Sequence, residues 1–213
     1  MKLYLWNIAP NPRRVVITLK EKGIEVPMQD VGVPGKPILD PAFLARFGHR
    51  RVPLLELDDG TVIGEAMAIC RYFETLHPEP PMMGVGAREI ALVEMWERLS
   101  EHEGLLAVAE ALRNAKRSFA GRPLAGIARQ VEQIPALVER GKLRVGLYYD
   151  KLDRRLGETR HLAGERFTVA DVTAVCTVDF ARFIDMLVPA DRPNLARWHA
   201  EVSARPAVRE TAF

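Results

Sequence analysis

Residues His77 to Gly86 read His-Pro-Glu-Pro-Pro-Met-Met-Gly-Val-Gly, and this stretch, with three prolines and two glycines, can continue neither a helix nor a central strand. It divides the chain into segments of different periodicity. Before it, short apolar runs alternate with helical patterns; after it, no strand pattern is convincing. The division predicts an α/β first domain over residues 1–78, a linker over 79–87 and an all-helical second domain over 88–213.

In the first segment, Lys2 to Trp6 alternates weakly and is rich in leucine and aromatic residues, as a strand requires. Asn11-Pro12 then reads as an N-cap followed by a good first helical residue, with Arg13 to Lys22 as the helix and Gly23 as its stop. Glu25 to Val31 is a second strand, and a crossover of this length makes it parallel to the first. Asp40-Pro41 repeats the cap-plus-proline signal for a short helix to Phe47. Val52–Leu57 and Thr61–Ile63 flank Asp58-Asp59-Gly60 and form an antiparallel hairpin. Ala66, Ile69, Cys70, Phe73 and Leu76 then make the apolar stripe of a helix. The order is βαβαββα. Beyond the break, Ala87–Lys116, Ala136–Leu156, Val169–Leu187 and Leu195–Ala204 read as helices, whereas Ser118–Pro135 is interrupted by glycine and proline.

Composition removes several classes of function. Of the 213 residues, 30 are Lys or Arg and 28 are Asp or Glu, a balance that lacks the basic footprint of a nucleic-acid binder. Apolar runs such as Val15-Val16-Ile17 fall far short of the roughly 20 residues that span a bilayer. The N-terminus lacks the apolar run of about 7–15 residues of a secretory signal, so the expectation is a cytoplasmic protein without a membrane partner. Cys70 and Cys176 fit no metal or redox spacing and read as buried thiols. No histidine pair has metal-ligand spacing on a helix, so no metal is expected.

Few segments point to chemistry. Asn11-Pro12-Arg13-Arg14 opens a helix just after the first strand, where free N–H groups, the helix dipole and two arginines favour an anion such as a thiolate. Glu65-Ala66 opens another helix that can receive a carboxylate, although an acid at that position also simply complements the dipole. Most X-Pro bonds are trans, so spacing gives no ground for a cis bond at Val52-Pro53. Thr168-Val169-Ala170-Asp171 has the form of a capping box and concerns folding. Trp96, Phe183 and Trp198 fit a helical core.

Taken in order, Lys2-Leu3-Tyr4, Pro10 to Val15, Glu21 to Ile24, Val52 to Gly60, Glu65 to Ile69, Phe167 to Asp171 and Arg192 to Trp198 resemble the cytosolic glutathione transferase family over essentially the whole chain. The resemblance implies a thioredoxin-like domain that binds glutathione as co-substrate, a helical domain that lines the pocket for a small hydrophobic electrophile, and a homodimer. It implies a cis bond before Pro53, pairing of the Val52 backbone with the cysteinyl part of glutathione, Glu65 and the Ala66 N–H on the γ-glutamyl end, and Arg50 or Arg51 facing the glycine carboxylate.

Two positions depart from the family pattern. The thiol-activating Ser or Thr is replaced by Ala9, and the Glu-Ser dipeptide is Glu65-Ala66, which removes a hydrogen bond worth about 0.5–1.5 kcal/mol. Some bacterial members carry an Asn two residues after the hydroxyl position, and Asn11 matches it as the candidate catalytic residue, with Arg13 or Arg14 assisting. Two other readings stay open at this point: glutathione-dependent reduction of a disulfide or hydroperoxide, and a non-catalytic binding protein.

Overall fold

Leu3, Tyr4 and Leu5 are all buried, the mark of a strand covered on both faces, and β1 (Lys2–Leu5) is indeed central. The computed structural model describes residues 1–33, 40–48, 51–127 and 129–213. Parallel to β1 runs β2 (Met28–Asp30), with Leu3 opposite Met28. On the other side β3 (Leu54–Glu56) is antiparallel, and β4 (Val62–Gly64) pairs antiparallel with β3. The sheet order is β2-β1-β3-β4. Helices α1 (Pro10–Glu21), α2 (Pro41–Phe47) and α3 (Ala66–Leu76) complete the expected βαβαββα, thioredoxin-like domain. Asp40 caps α2 by accepting from the Ala42 N–H at 2.7 Å, and Gly48, at φ +63°, ends it in the left-handed conformation that glycine favours.

Several boundaries in this domain differ from expectation, two of them for a clear physical reason. Helix α1 starts at Pro10, not at Pro12: Ala9 is its N-cap and Asn11 lies inside the first turn. Proline at the first helical position loses no hydrogen bond and has its φ preset, so Pro10 outcompetes the Asn-Pro signal one residue later. The second strand is three residues rather than Glu25–Val31, because Pro27 has no N–H to donate and joins the sheet only through its carbonyl, which accepts from Leu3 at 2.9 Å.

The second segment is helical: α4 (Gly86–Leu99), α5 (Leu106–Ala115), α6 (Ala136–Leu156), α7 (Val169–Ala181), α8 (Pro193–Ser203) and the short α9 (Pro206–Arg209). Helix α7 is buried on nearly all sides and forms the axis of this layer. The single helix expected over Ala87–Lys116 is instead interrupted by a π-helical turn at Ser100–Leu105. Gly104 sits in that turn because a Cβ there would lie 2.7 Å from the Tyr148 ring and 2.8 Å from the Thr177 methyl group. The helix expected to reach Leu187 stops at Ala181, and a 3-10 turn leads to Asp185 at φ +62°. No helix among the described residues is long and apolar enough to cross a membrane.

One core runs through both segments, from Leu3 and Ile17 to Trp198 and Val208. The proline-rich stretch between them is anchored rather than looped out. Lys22 Nζ donates to Glu74 at 2.7 Å and to the Pro80 carbonyl at 2.6 Å, Met83 N–H donates to Glu74, and the Met82 carbonyl accepts from Val169 N–H at 2.9 Å. Met82 and Met83 are both buried.

Candidate functional site

The register of the sheet gathers the candidate residues at one end. Tyr4, Leu54 and Gly64 lie abreast on β1, β3 and β4. The chain leaving β1 toward α1, the chain entering β3 from Arg51 and Val52, and the chain leaving β4 through Glu65 therefore share one edge of the domain. Sequence distance hides this convergence; the antiparallel pairing of β3 with both neighbours creates it.

At the start of α1 an anion meets fewer donors than a generic helix would offer. Pro10 and Pro12 have no N–H, and Arg13 N–H is turned toward the Ala9 carbonyl at 3.4 Å. The backbone N–H of Asn11 is the remaining donor of the first turn. Ala9 contributes no side-chain cap. Asn11 also supplies an amide: its Oδ1 accepts from Arg14 Nη1 at 2.8 Å, so its Nδ2 faces away from the guanidinium.

Neither arginine is available to an anion, contrary to the expectation that Arg13 or Arg14 adds to the local potential. Arg13 is buried and turned into the helical segment, where it meets Asp179 at 2.6 Å and the Val208 carbonyl at 3.3 Å beneath the Phe213 ring. Arg14, 1% exposed, meets Glu97 at 2.5 Å and Thr173 at 3.0 Å. Burial pushes the Glu97 carboxyl up, and the Arg14 guanidinium beside it opposes the shift. His199 and Arg13 together hold the Asp179 carboxyl below the usual range against the opposing effect of burial. A guanidinium whose charge is already matched inside the protein adds little field outside it.

The Val52–Pro53 peptide is cis, in agreement with the resemblance, as is Glu79–Pro80. Val52 is half-buried against the cluster of Tyr4, Phe43 and Leu54, and β3 starts only at Leu54. Glu65, between β4 and α3, has φ +63° and ψ 126°, which a residue with a Cβ adopts at a cost of about 1–3 kcal/mol. Its carboxylate is exposed and 3.5 Å from Arg51 Nη1, also exposed, a pairing worth little in water. Ala66 is buried and opens α3 without any side-chain cap. Relief of the strain is measurable. Glu65→Gly is expected to raise folding stability by about 1 kcal/mol, read as an upward shift of the urea midpoint, after allowance for glycine's flexibility in the unfolded chain. A lower midpoint would mean that the backbone is relaxed at this position.

Arg50 lies outside the described residues. Arg51 packs against Gly126, at φ +76°, where a Cβ would lie 2.8 Å from Arg51 Cγ. The segment around Gly126, unassigned by periodicity, thus reaches across to the first domain; its glycine in the left-handed region was the available signal. Two shallow recesses, about 260 Å³ beside Trp96 and Arg154 and about 400 Å³ beside Pro78 and Ile90, lie away from this sheet end. None of the candidate residues lines either recess. Burial pushes the Cys70 thiol up to about 11 and the Cys176 thiol up to about 12, so neither is a nucleophile at neutral pH.

Two family models match the chain, one in each half. The family model described as "Glutathione S-transferase, N-terminal domain" matches residues 3–81, and "Glutathione S-transferase, C-terminal domain" matches 110–206. Glutathione S-transferase 2 of Saccharomyces cerevisiae is 31% identical over 99% of this chain and 88% of its own length. Among solved structures, a class Gtt2 glutathione S-transferase of Vibrio parahaemolyticus superposes with a TM-score of 0.82 at 36% identity, covering 99% of this chain and 97% of that one. Gtt2 from Saccharomyces cerevisiae superposes with a TM-score of 0.87 at 28% identity and covers 99% of this chain. With both domains matched and relatives aligned end to end, the chain belongs to the glutathione S-transferase family: it is a glutathione transferase.

Proposed function

We propose that this transferase joins the thiolate of glutathione to a small hydrophobic electrophile at the sheet end described above, with Asn11 as the group that stabilises the sulfur. The observation that carries the reading is the fixed amide of Asn11. Because Arg14 donates to its Oδ1, the Nδ2 of Asn11 is left as a donor, on the same residue whose backbone N–H is the remaining donor of the helix start. Donors aimed at sulfur favour the thiolate over the thiol and lower its pKa from about 8.5. The thiol proton passes to water, the sulfur lone pair forms the new C–S bond, and the electrophile's leaving group departs with its bonding pair. Positioning of the two reactants supplies much of the acceleration.

Around the sulfur, the Val52 backbone next to Pro53 pairs with the cysteinyl unit, Glu65 and the Ala66 N–H take the γ-glutamyl end, and Arg51, with Arg50 beside it in sequence, takes the glycine carboxylate by charge-assisted hydrogen bonding. The strained backbone of Glu65 supports its part, since strain of this kind concentrates where a ligand is held. In this reading residues 1–78 bind glutathione, 79–87 link, and 88–213 line the electrophile pocket of a cytoplasmic homodimer.

Titration calorimetry with reduced glutathione, with the thiolate absorbance of the bound ligand followed across pH in the same samples, tests the proposal. Saturable binding with a thiol pKa well below that of free glutathione is expected. Binding with an unshifted thiol pKa overturns the role given to Asn11; no binding overturns the site.

A further inference from the structure

The guanidinium of Arg14 is a junction of four elements. Its Nη1 donates to Asn11 Oδ1 on α1 at 2.8 Å, its Nε to Thr173 on α7 at 3.0 Å, and its Nη2 to Glu97 on α4 at 2.5 Å and to Glu101 in the π-helical turn at 3.4 Å. We propose that Arg14, anchored by Glu97, is a positioning residue that fixes the Asn11 amide with its nitrogen outward, so that the helical segment sets the orientation of the thiolate donor. This inference rests on the role given to Asn11 above.

Three features carry it. A side-chain amide has two faces of nearly equal shape, and in water it presents either the oxygen or the nitrogen. Opposite a cation that only donates, only the oxygen fits, and reversal would set two N–H groups against a guanidinium N–H. Next, the fork is planar and rigid, so Thr173, Glu97 and Glu101 on one side determine where Nη1 points on the other. Last, a buried ion pair is a poor way to gain stability, because apolar side chains of similar volume often hold a core equally well. Apolar filling would pack this site but would leave Asn11 free to turn. The charged groups around the guanidinium are Glu97 and Glu101, with Glu94 acting on Glu97 at longer range; the Cys70 thiol nearby is neutral.

The test is a double-mutant cycle in the full-length protein. Arg14→Lys keeps a cation for Glu97 but is too short and too compact to reach Asn11 as the fork does. It is expected to raise the pKa of bound glutathione by about one unit and to lower kcat/KM about tenfold below that pKa, with KM for glutathione changed less than about threefold. Asn11→Ala should produce at least the same rise, and the double variant should be no worse than Asn11→Ala alone, because both changes remove one donor. If Arg14→Lys lowers thermal stability but leaves the thiol pKa in place, or if the two effects add, the residue is structural and the inference falls while the role of Asn11 stands. If Asn11→Ala itself leaves the pKa unmoved, that role falls and the inference falls with it. Should Arg14→Lys not fold, Glu97→Gln loosens the anchor without changing its shape; it is expected to shift the thiol pKa in the same direction, and an unmoved pKa overturns the inference.

Discussion

Asp171→Ala is expected to cost about 3–5 kcal/mol of folding stability, enough to unfold much of the population of an ordinary domain on mild warming. The carboxylate is fully buried and serves three segments at once. Its Oδ1 accepts from the Trp198 indole at 3.0 Å and from Leu162 N–H at 3.1 Å, and its Oδ2 accepts from Thr168 N–H at 3.1 Å at the start of α7. Removal of the acceptor strands three buried N–H groups, each worth about 1–3 kcal/mol when desolvated and unpaired, less whatever relaxation recovers. His161 gives little compensation, since its Nδ1 is 3.6 Å from the carboxylate, beyond hydrogen-bonding range. Urea unfolding should show a lower midpoint at an unchanged slope. A loss below about 1 kcal/mol would mean that water reaches these groups.

Asn11→Ala is expected to lower kcat/KM toward a chloronitroaromatic substrate about 100-fold, the scale seen when one preorganised donor to a developing or stabilised anion is deleted. Alanine is a better helix former than asparagine, and the residue is only half-buried, so stability should change little. The effect should fall on the thiolate population, visible as a rate that recovers at high pH. Activity within twofold of the parent at neutral pH would show that the backbone N–H of residue 11 suffices, or that another group holds the sulfur.

Much of the fold was legible because it follows local rules. Asp40-Pro41 and Gly48 bracket α2 by the physics of helix ends, and Asp58-Asp59-Gly60 separates two strands that pair as such. Boundaries failed where two local rules competed, as when Pro10 displaced Asn11 from the cap, or where packing overrode periodicity, as at Gly104. That glycine inside a helical pattern was itself a signal, since it costs about 1 kcal/mol there unless a neighbour needs the space.

The site was legible in part, and for a physical reason. Asn11 and Glu65 stood out as candidates because each lies at a helix start, although the cap itself is Ala9 rather than Asn11, whereas Val52 was named only through the family resemblance. Arg13 and Arg14 could not be understood that way: a cation in a sequence has no visible counter-charge, and their acidic partners stand between 83 and 166 residues away. Two positive charges that read as an anion's attraction proved to be spent on the join between domains. The contact of Arg51 with Gly126 is of the same long-range kind.

By composition alone the stretch from His77 to Gly86 reads as an exposed linker, the kind of segment in which proteolytic nicking concentrates. A protease, however, needs several residues of backbone free to extend into its cleft, and here the Pro80 and Met82 carbonyls are held by Lys22 and Val169 while the methionine side chains are interred. Nicking must therefore wait until α1, α3 and α7 have let go together. The two halves, joined by a segment that looks like a hinge, share one core and are expected to melt as one cooperative body, neither outliving the other.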